Sequence, residues 1–199
     1  ISGFGVAALG YANPEVTEVW RAQAGELPHA MGDVFPARVK VELLEALTRI
    51  LPEDLGWAIL SSSGSDAVES ALKTAIQATG RPGVIAFQGA YHGLGFGALD
   101  VTHRTLFRAP FEARLPKRTR FVPYGDAKAV REALASGDVG AILVEPIQGR
   151  AGCVIPPRHF LRELRELAEG TTTLLIADEV YTGLGRTGFW LACEADQVI

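Results

Sequence analysis

The side chains of this sequence that could do chemistry fall at four places, each directly after a short apolar run. The most telling is Leu174-Leu175-Ile176-Ala177 followed by Asp178-Glu179-Val180-Tyr181-Thr182-Gly183. Two carboxylates end a strongly apolar segment. Strand alternation sends Asp178 and Glu179 to opposite sides. A carboxylate so placed is partly desolvated, which is costly unless a cation or hydrogen-bond donors face it. Asp178 could then be a general base, a metal ligand or the counter-ion of a protonated ring nitrogen. Metal is the weakest option, because no His/Cys/Asp/Glu cluster has ligand spacing.

The second place is Ser61-Ser62-Ser63-Gly64-Ser65-Asp66-Ala67. Glycine among small hydroxyl residues at a helix start leaves backbone N–H groups bare at the positive end of the helix dipole. That is an anion seat, with Ser63 and Ser65 as extra donors. Plain N-capping by Ser65 or Asp66 is the competing reading. No Gly-Lys-Ser/Thr follows, so this is not a P-loop. The third, Gln88-Gly89-Ala90-Tyr91-His92-Gly93, sets an aromatic–His pair between glycines. It suits a flat ligand, or a loop whose Tyr91 packs on the core. The fourth, Glu145-Pro146-Ile147-Gln148-Gly149, carries a carboxylate that must be paired or hydrogen-bonded, with Gln148 as one candidate neighbour.

The elements that must position these residues follow from the patterning. Residues 57–60, 84–87, 141–144 and 174–177 read as buried strands, continuous rather than alternating, as where both sheet faces are covered. Amphipathic helices lie between them. One carries Val68, Ala71, Leu72, Ala75 and Ile76. Another carries Leu161, Leu164, Leu167 and Ala168, with Arg162, Glu163, Arg165 and Glu166 on the wet side. Asn13-Pro14 starts a helix with Val16, Val19 and Trp20, and Asp126 caps one with Val130 and Leu134. Val39, Leu43, Leu47, Ile50 and Leu51 make a further helix, closed by Pro52. The alternation predicts an α/β fold, a mostly parallel sheet with helices on both faces. Ligands bind such sheets beyond the carboxyl ends of the strands.

Residues 102–119 are the least regular, and their Arg104, Arg108, Arg114, Lys117 and Arg118 read as a solvated loop or subunit contact. Gly183-Leu184-Gly185-Arg186-Thr187-Gly188 fits G-x-G-x-x-G, but Asp178 to Thr182 intervene after the strand and Phe189-Trp190 follow instead of a helix. It is a poor dinucleotide fingerprint.

Of the 199 residues, 48% are hydrophobic and 21% charged, which argues against disorder. A net charge of −4 leaves no electrostatic footprint for nucleic acid or an anionic membrane. No apolar run approaches a membrane span. Cys153 and Cys193 are too few for a disulfide framework and read as small buried residues in a reducing, cytoplasmic compartment. The chain begins at Ile1, its only methionine is Met31, and it stops at Ile199 after an apolar-ended segment. It reads as an excerpt of a longer protein.

Taken together and in order, the four places resemble the class-III pyridoxal-phosphate-dependent aminotransferases. Ser63-Gly64-Ser65-Asp66-Ala67 is similar to that family's phosphate-loop motif, and Tyr91-His92-Gly93 to its ring-stacking motif. Glu145-Pro146-Ile147-Gln148-Gly149, Asp178-Glu179-Val180 and the segment from Thr182 to Gly188 resemble its two most distinctive stretches. The resemblance runs over nearly all of the chain. It implies a fold-type-I large domain, with residues 1–55 leading into it and 56–199 forming an incomplete coenzyme-binding domain. It implies pyridoxal 5′-phosphate, with its phosphate on the Gly64 and Ser65 N–H groups, Tyr91 and Val180 on the two ring faces, and Asp178 at the pyridine nitrogen. Ser63, His92, Glu145 and Gln148 complete the implied cofactor site. Amine or amino acid and oxo acid substrates are implied, and so is a homodimer.

Departures from the family's pattern bear on specificity. Lys40, Lys73, Lys117 and Lys128 all precede the Asp-Glu-Val segment, whereas the family's Schiff-base lysine lies beyond it. The 199 residues alone are therefore expected not to transaminate. Arg150 stands where many members carry Glu, Leu94 where several carry a basic residue, and Tyr181 where Gln is common. Arg150 could bind an acidic substrate itself or simply face solvent, and Arg150 and Tyr181 are accordingly candidate substrate contacts. Decarboxylases, aminomutases and racemases share these motifs. A non-catalytic relative kept for assembly and an NAD-dependent oxidoreductase are the alternatives from other classes.

Overall fold

The computed structural model of the chain describes residues 2–32, 34–52, 55–196 and 198. Ile1 and Ile199, the ends that suggested an excerpt, lie outside these. The chain divides into two compact units, residues 1–58 and 59–199.

In the first unit, helix α1 spans Pro14–Glu26 and α2 spans Arg38–Ile50. Asn13 caps α1 as expected: its Oδ1 accepts the N–H groups of Glu15 and Val16 at 3.0 and 3.2 Å, with Pro14 opening the helix. Arg38 bridges Glu26 and Glu42 at 3.1 and 3.0 Å. Neither helix buries a residue among those described, and Trp20 is 70% exposed. Residues 57–60 form no strand, contrary to expectation. An apolar run becomes a strand only where another strand takes its N–H and C=O groups, and here Trp57 is 96% exposed.

The second unit is built on four parallel strands in the order β2-β1-β3-β4. They are β1 Gly83–Phe87, β2 Thr119–Val122, β3 Val139–Val144 and β4 Leu174–Ala177. The predicted α/β architecture is present. Strand β2 was not anticipated, because its sequence TRFV is half polar. It is an edge strand with a mostly half-buried face. β4 was expected to be covered on both faces, yet it is the other edge, and Leu174 and Ala177 are exposed. The two central strands are buried throughout.

Side chains alternate between two cores. On one face Ile85, Phe87, Ile142 and Val144 meet helices α6, Ala127–Leu134, and α7, Phe160–Gly170. Phe87 contacts Tyr124 and Phe160 edge to face, with ring centroids 5.7 and 5.5 Å apart. On the other face Val84, Ala86, Ala141 and Leu143 meet α3, Gly64–Thr79, through Val68, Leu72 and Ala75, and α4, Phe96–Val101, through Ala98 and Val101. The irregular segment 102–119 contains the one-turn helix α5, Thr105–Arg108, and a 3-10 turn, Ala109–Arg114.

The connection leaving β1 runs over the α4 face toward β2. The connection leaving β3 runs over the α7 face toward β4. Adjacent central strands thus send their chains to opposite faces, the kind of place at which sheets of this type bind ligands beyond the carboxyl ends of their strands.

Candidate active site

All four chemistry-bearing segments reach this end of the sheet. At the start of α3 the cap is Ser63, not Ser65 or Asp66. Ser63 Oγ accepts the N–H of Asp66 at 3.2 Å, and Asp66 Oδ2 accepts the N–H and the hydroxyl of Ser62 at 3.1 and 3.2 Å. The N–H groups of Gly64 and Ser65, first in the helix, have no acceptor among the described residues. They lie at the positive end of a 16-residue helix.

Ser65 also ties this helix to the segment after β1: its Oγ accepts the N–H of Gly95 at 3.0 Å. Glu69, one turn on, accepts the N–H groups of Gly97 and Ala98 at 2.6 and 3.0 Å. Gly93 has φ +122°, and a Cβ on it would lie 2.6 Å from Ser65 Cβ. Only glycine permits this approach.

Strand β1 delivers Tyr91 and His92. The N–H of Tyr91 donates to Glu145 Oε1 at 3.0 Å, and its ring meets Phe107 edge to face at 5.4 Å. The Arg150 guanidinium carbon lies 4.0 Å from the Tyr91 ring centroid. The His92 side chain is wholly buried. Its backbone N–H donates to Thr102 Oγ1 at 2.9 Å, and its Nδ1 lies 2.7 Å from Asp178 Oδ2. Its Nε2 has no hydrogen-bond partner among the described residues.

Strand β4 delivers Asp178 and Glu179, which diverge as alternation requires. Asp178 meets His92 with Oδ2 and accepts the N–H of Val180 with Oδ1 at 3.1 Å. Glu179 turns the other way, accepting the Thr182 hydroxyl and, at 2.9 Å, the N–H of Cys193. Val180 lies against the helix start, its Cγ2 3.1 Å from where a Cβ on Gly64 would sit.

Strand β3 delivers Glu145, 3% exposed. Its carboxylate accepts the N–H groups of Tyr91 and Gly149 at 3.0 and 3.1 Å. Burial pushes its carboxyl above the ordinary range, although the Tyr91 N–H pulls the other way. The suggested Glu145–Gln148 pairing is absent: Gln148 Nε2 instead donates to Gln88 O at 3.0 Å. Both side chains are spent on joining the loops after β1 and β3. Tyr181 packs its ring on Gly149, and desolvation raises its phenol above the usual value.

The G-x-G-x-x-G segment is a tight hairpin. The N–H groups of Leu184 and Gly185 donate to the carbonyls of Trp190 and Phe189 at 2.7 and 3.1 Å. No helix starts there, so it cannot present the N–H cradle of a dinucleotide fold. Cys193 is buried, its thiol pushed by burial up to about 12, while Cys153 is exposed, contrary to expectation. Three supporting residues escaped the sequence reading. Thr102, Phe107 and Glu69 lack a motif, and only their contacts reveal them.

The aminotransferase class-III family matches this chain over residues 1–199. The chain belongs to the class-III aminotransferases. It is 40% identical over 194 residues to the acetylornithine aminotransferase of Methanosarcina mazei, covering 98% of this chain and 48% of that protein. It is 41% identical over 215 residues to the adenosylmethionine-8-amino-7-oxononanoate aminotransferase of Synechococcus elongatus, covering 98% and 50%. The chain therefore spans about half the length of the curated relatives it matches. Among solved structures, a transaminase from the marine bacterium Virgibacillus superposes with a TM-score of 0.90 at 26% identity, covering all of this chain and 48% of that one. The Toxoplasma gondii ornithine aminotransferase, whose active site holds PLP at partial occupancy, gives 0.87 at 29% identity, covering 98% and 47%. This class-III chain thus has the fold of the pyridoxal-phosphate aminotransferases. Among the described residues no helix is long and apolar enough to cross a membrane.

Proposed function

We propose that the protein containing this chain transfers amino groups between an amine or amino acid and an oxo acid or aldehyde, using pyridoxal 5′-phosphate. One observation carries the reading. The buried acid Asp178 and the bare N–H groups of Gly64 and Ser65 are brought near one another by two direct contacts. Val180, whose N–H binds Asp178, touches the Gly64 position, and Gly93, which follows His92, touches Ser65.

The residues fit this coenzyme. Its phosphate needs donors at a positive site, which the Gly64 and Ser65 N–H groups and the hydroxyl protons of Ser63 and Ser65 can supply. Its flat ring needs walls, and Tyr91 and the exposed side of Val180 provide them. Its pyridine nitrogen needs an anion, and Asp178 has acceptor capacity left after His92 and Val180. When bound, the coenzyme supplies an electron sink for the electrons left when the substrate Cα loses a proton. Asp178 holds negative charge at one fixed spot. His92 keeps it there, because its own ring is buried and its backbone is tied to Thr102. Glu145 and Gln148 support the walls rather than touch the ligand.

The reading extends to parts of the protein outside these residues. The lysine that carries the coenzyme is assigned to a position other than the chain's four lysines, and the 199 residues alone should not turn over. A homodimer and a cytoplasmic setting belong to the same proposal, by analogy with the fold family. The test is the visible absorption of the purified full-length protein. It should show bound coenzyme, lose that absorption on adding an amino donor, and regain it on adding an oxo acid. Asp178→Ala should abolish the change while the fold stays intact. Coenzyme absorption without transfer to any acceptor would instead favour decarboxylation, mutation or racemisation.

A further inference from the structure

Resting on the aminotransferase reading, we infer that Arg150 is a specificity-determining residue that binds a carboxylate of the substrate. Its guanidinium lies 4.0 Å over Tyr91 and 5.6 Å from Phe107, two rings that themselves meet edge to face. A cation–π contact of this kind positions the guanidinium over the rings. A guanidinium carries its N–H donors in the fork geometry that matches the two oxygens of a carboxylate.

The backbone beneath the side chain is anchored. Arg150 O accepts Arg104 Nη2 at 2.6 Å, and Glu145 holds Gly149. Gln148 and Val154 exchange N–H···O bonds at 3.0 and 3.1 Å. A half-buried guanidinium on an aromatic shelf, over a pinned loop, loses little freedom when it takes a ligand.

Charge gives the second argument. The Tyr181 phenol is raised chiefly by desolvation, pulled down by Arg150 and pushed up by Tyr91, Glu145 and Asp178, so the charges of these groups are felt at one ring. An acidic substrate entering there meets two carboxylates of like sign. Arg150 is a cation on that wall that offsets them. The site thereby prefers substrates with a carboxylate over neutral amines and aldehydes.

The experiment compares wild type, Arg150→Gln and Arg150→Lys in the full-length holoenzyme, with one amino donor and two acceptors. The acceptors are an oxo acid and an aldehyde of equal length. Arg150→Gln should raise KM for the oxo acid roughly 10- to 100-fold, the loss of a charge-assisted hydrogen bond, with kcat nearly kept and the aldehyde unaffected. Arg150→Lys, which keeps the charge but not the fork, should fall between. Equal effects on both acceptors, or none on either, overturn the assignment. Calorimetric titration with glutarate and its neutral diamide reads the same contact without turnover: glutarate affinity should drop in Arg150→Gln, and the diamide should bind weakly to both. If wild type transfers no amino group but glutarate affinity still depends on Arg150, the aminotransferase reading fails alone. If transfer occurs and glutarate affinity ignores Arg150, this inference fails alone.

Discussion

Asp178 Oδ2 and His92 Nδ1 lie 2.7 Å apart, and the His92 side chain is wholly buried. The hydrogen bond between these two atoms fixes where the Asp178 carboxylate sits. In the proposed site the role of His92 is positional, acting through Asp178. His92→Leu should lower kcat by about 10- to 100-fold, the scale of one hydrogen bond to a charged group, with coenzyme still bound. His92→Asn, whose amide can donate from nearly the same point, should recover much of the loss. Equal kcat in the two variants would reduce His92 to a packing residue.

Glu145 predicts a pH effect. Its folded carboxyl titrates above the ordinary value because it is buried. Between the ordinary and the raised value the unfolded chain has released a proton that the folded chain still holds. The contribution of Glu145 to stability therefore falls as pH rises through that window. Glu145→Gln removes the titration. It also leaves one of the Tyr91 and Gly149 N–H groups facing an amide NH2, at a cost of about 1–3 kcal/mol. In urea unfolding of the full-length protein, wild type should be the more stable. Its advantage should shrink as pH climbs from just below the ordinary carboxyl value. An advantage that widens with pH would show that the sign is wrong.

The sequence could be read wherever a local rule and a tertiary fact coincide. Asn13 and Asp126 cap helices because an Asx side chain meets N–H groups two or three residues on, with no help from elsewhere. The divergence of Asp178 and Glu179 follows from strand geometry alone. What failed depended on neighbours. Trp57 to Leu60 have strand composition but no strand to pair with. Thr119 to Val122 look polar yet take the open edge of β1, matching Ala86 to Phe121 and Phe87 to Val122. That Glu145 needed partners was clear, but the partner was the backbone of Tyr91, 54 residues away. Such partners are set by the order of strands in the sheet, which local patterning does not encode.

Helix α7 offers a test of the core on which the site loops rest. Leu164 is fully buried among Phe160, Leu161 and the outer faces of β1 and β3, whereas Leu167 is only partly covered. Leu164→Ala should cost about 2–5 kcal/mol, the range for a buried leucine that leaves a cavity. Leu167→Ala should cost clearly less. Comparable losses in denaturant unfolding would mean that the two sides of this helix are equally packed in the whole protein.

Gly93 and Gly152 separate the two costs of adding a methyl group. Both have positive φ, +122° and +111°, so a side chain is strained at either. A Cβ at Gly152 meets nothing within 4 Å, while one at Gly93 would sit 2.6 Å from Ser65 Cβ and 2.8 Å from its Cα. The second clash is against the first turn of α3, the turn assigned to the coenzyme phosphate. It can be relieved only by moving the loop after β1 away from that turn, so the separation between His92 and the Gly64–Ser65 amides must grow. Gly152→Ala should lower stability by about 1 kcal/mol and leave coenzyme affinity alone. Gly93→Ala should cost a further ~1–3 kcal/mol for overpacking and weaken coenzyme binding as well. Titrating pyridoxal phosphate into the coenzyme-free full-length proteins measures the difference. If Gly93→Ala binds as tightly as Gly152→Ala, the ring and phosphate ends of the site are not coupled through Ser65.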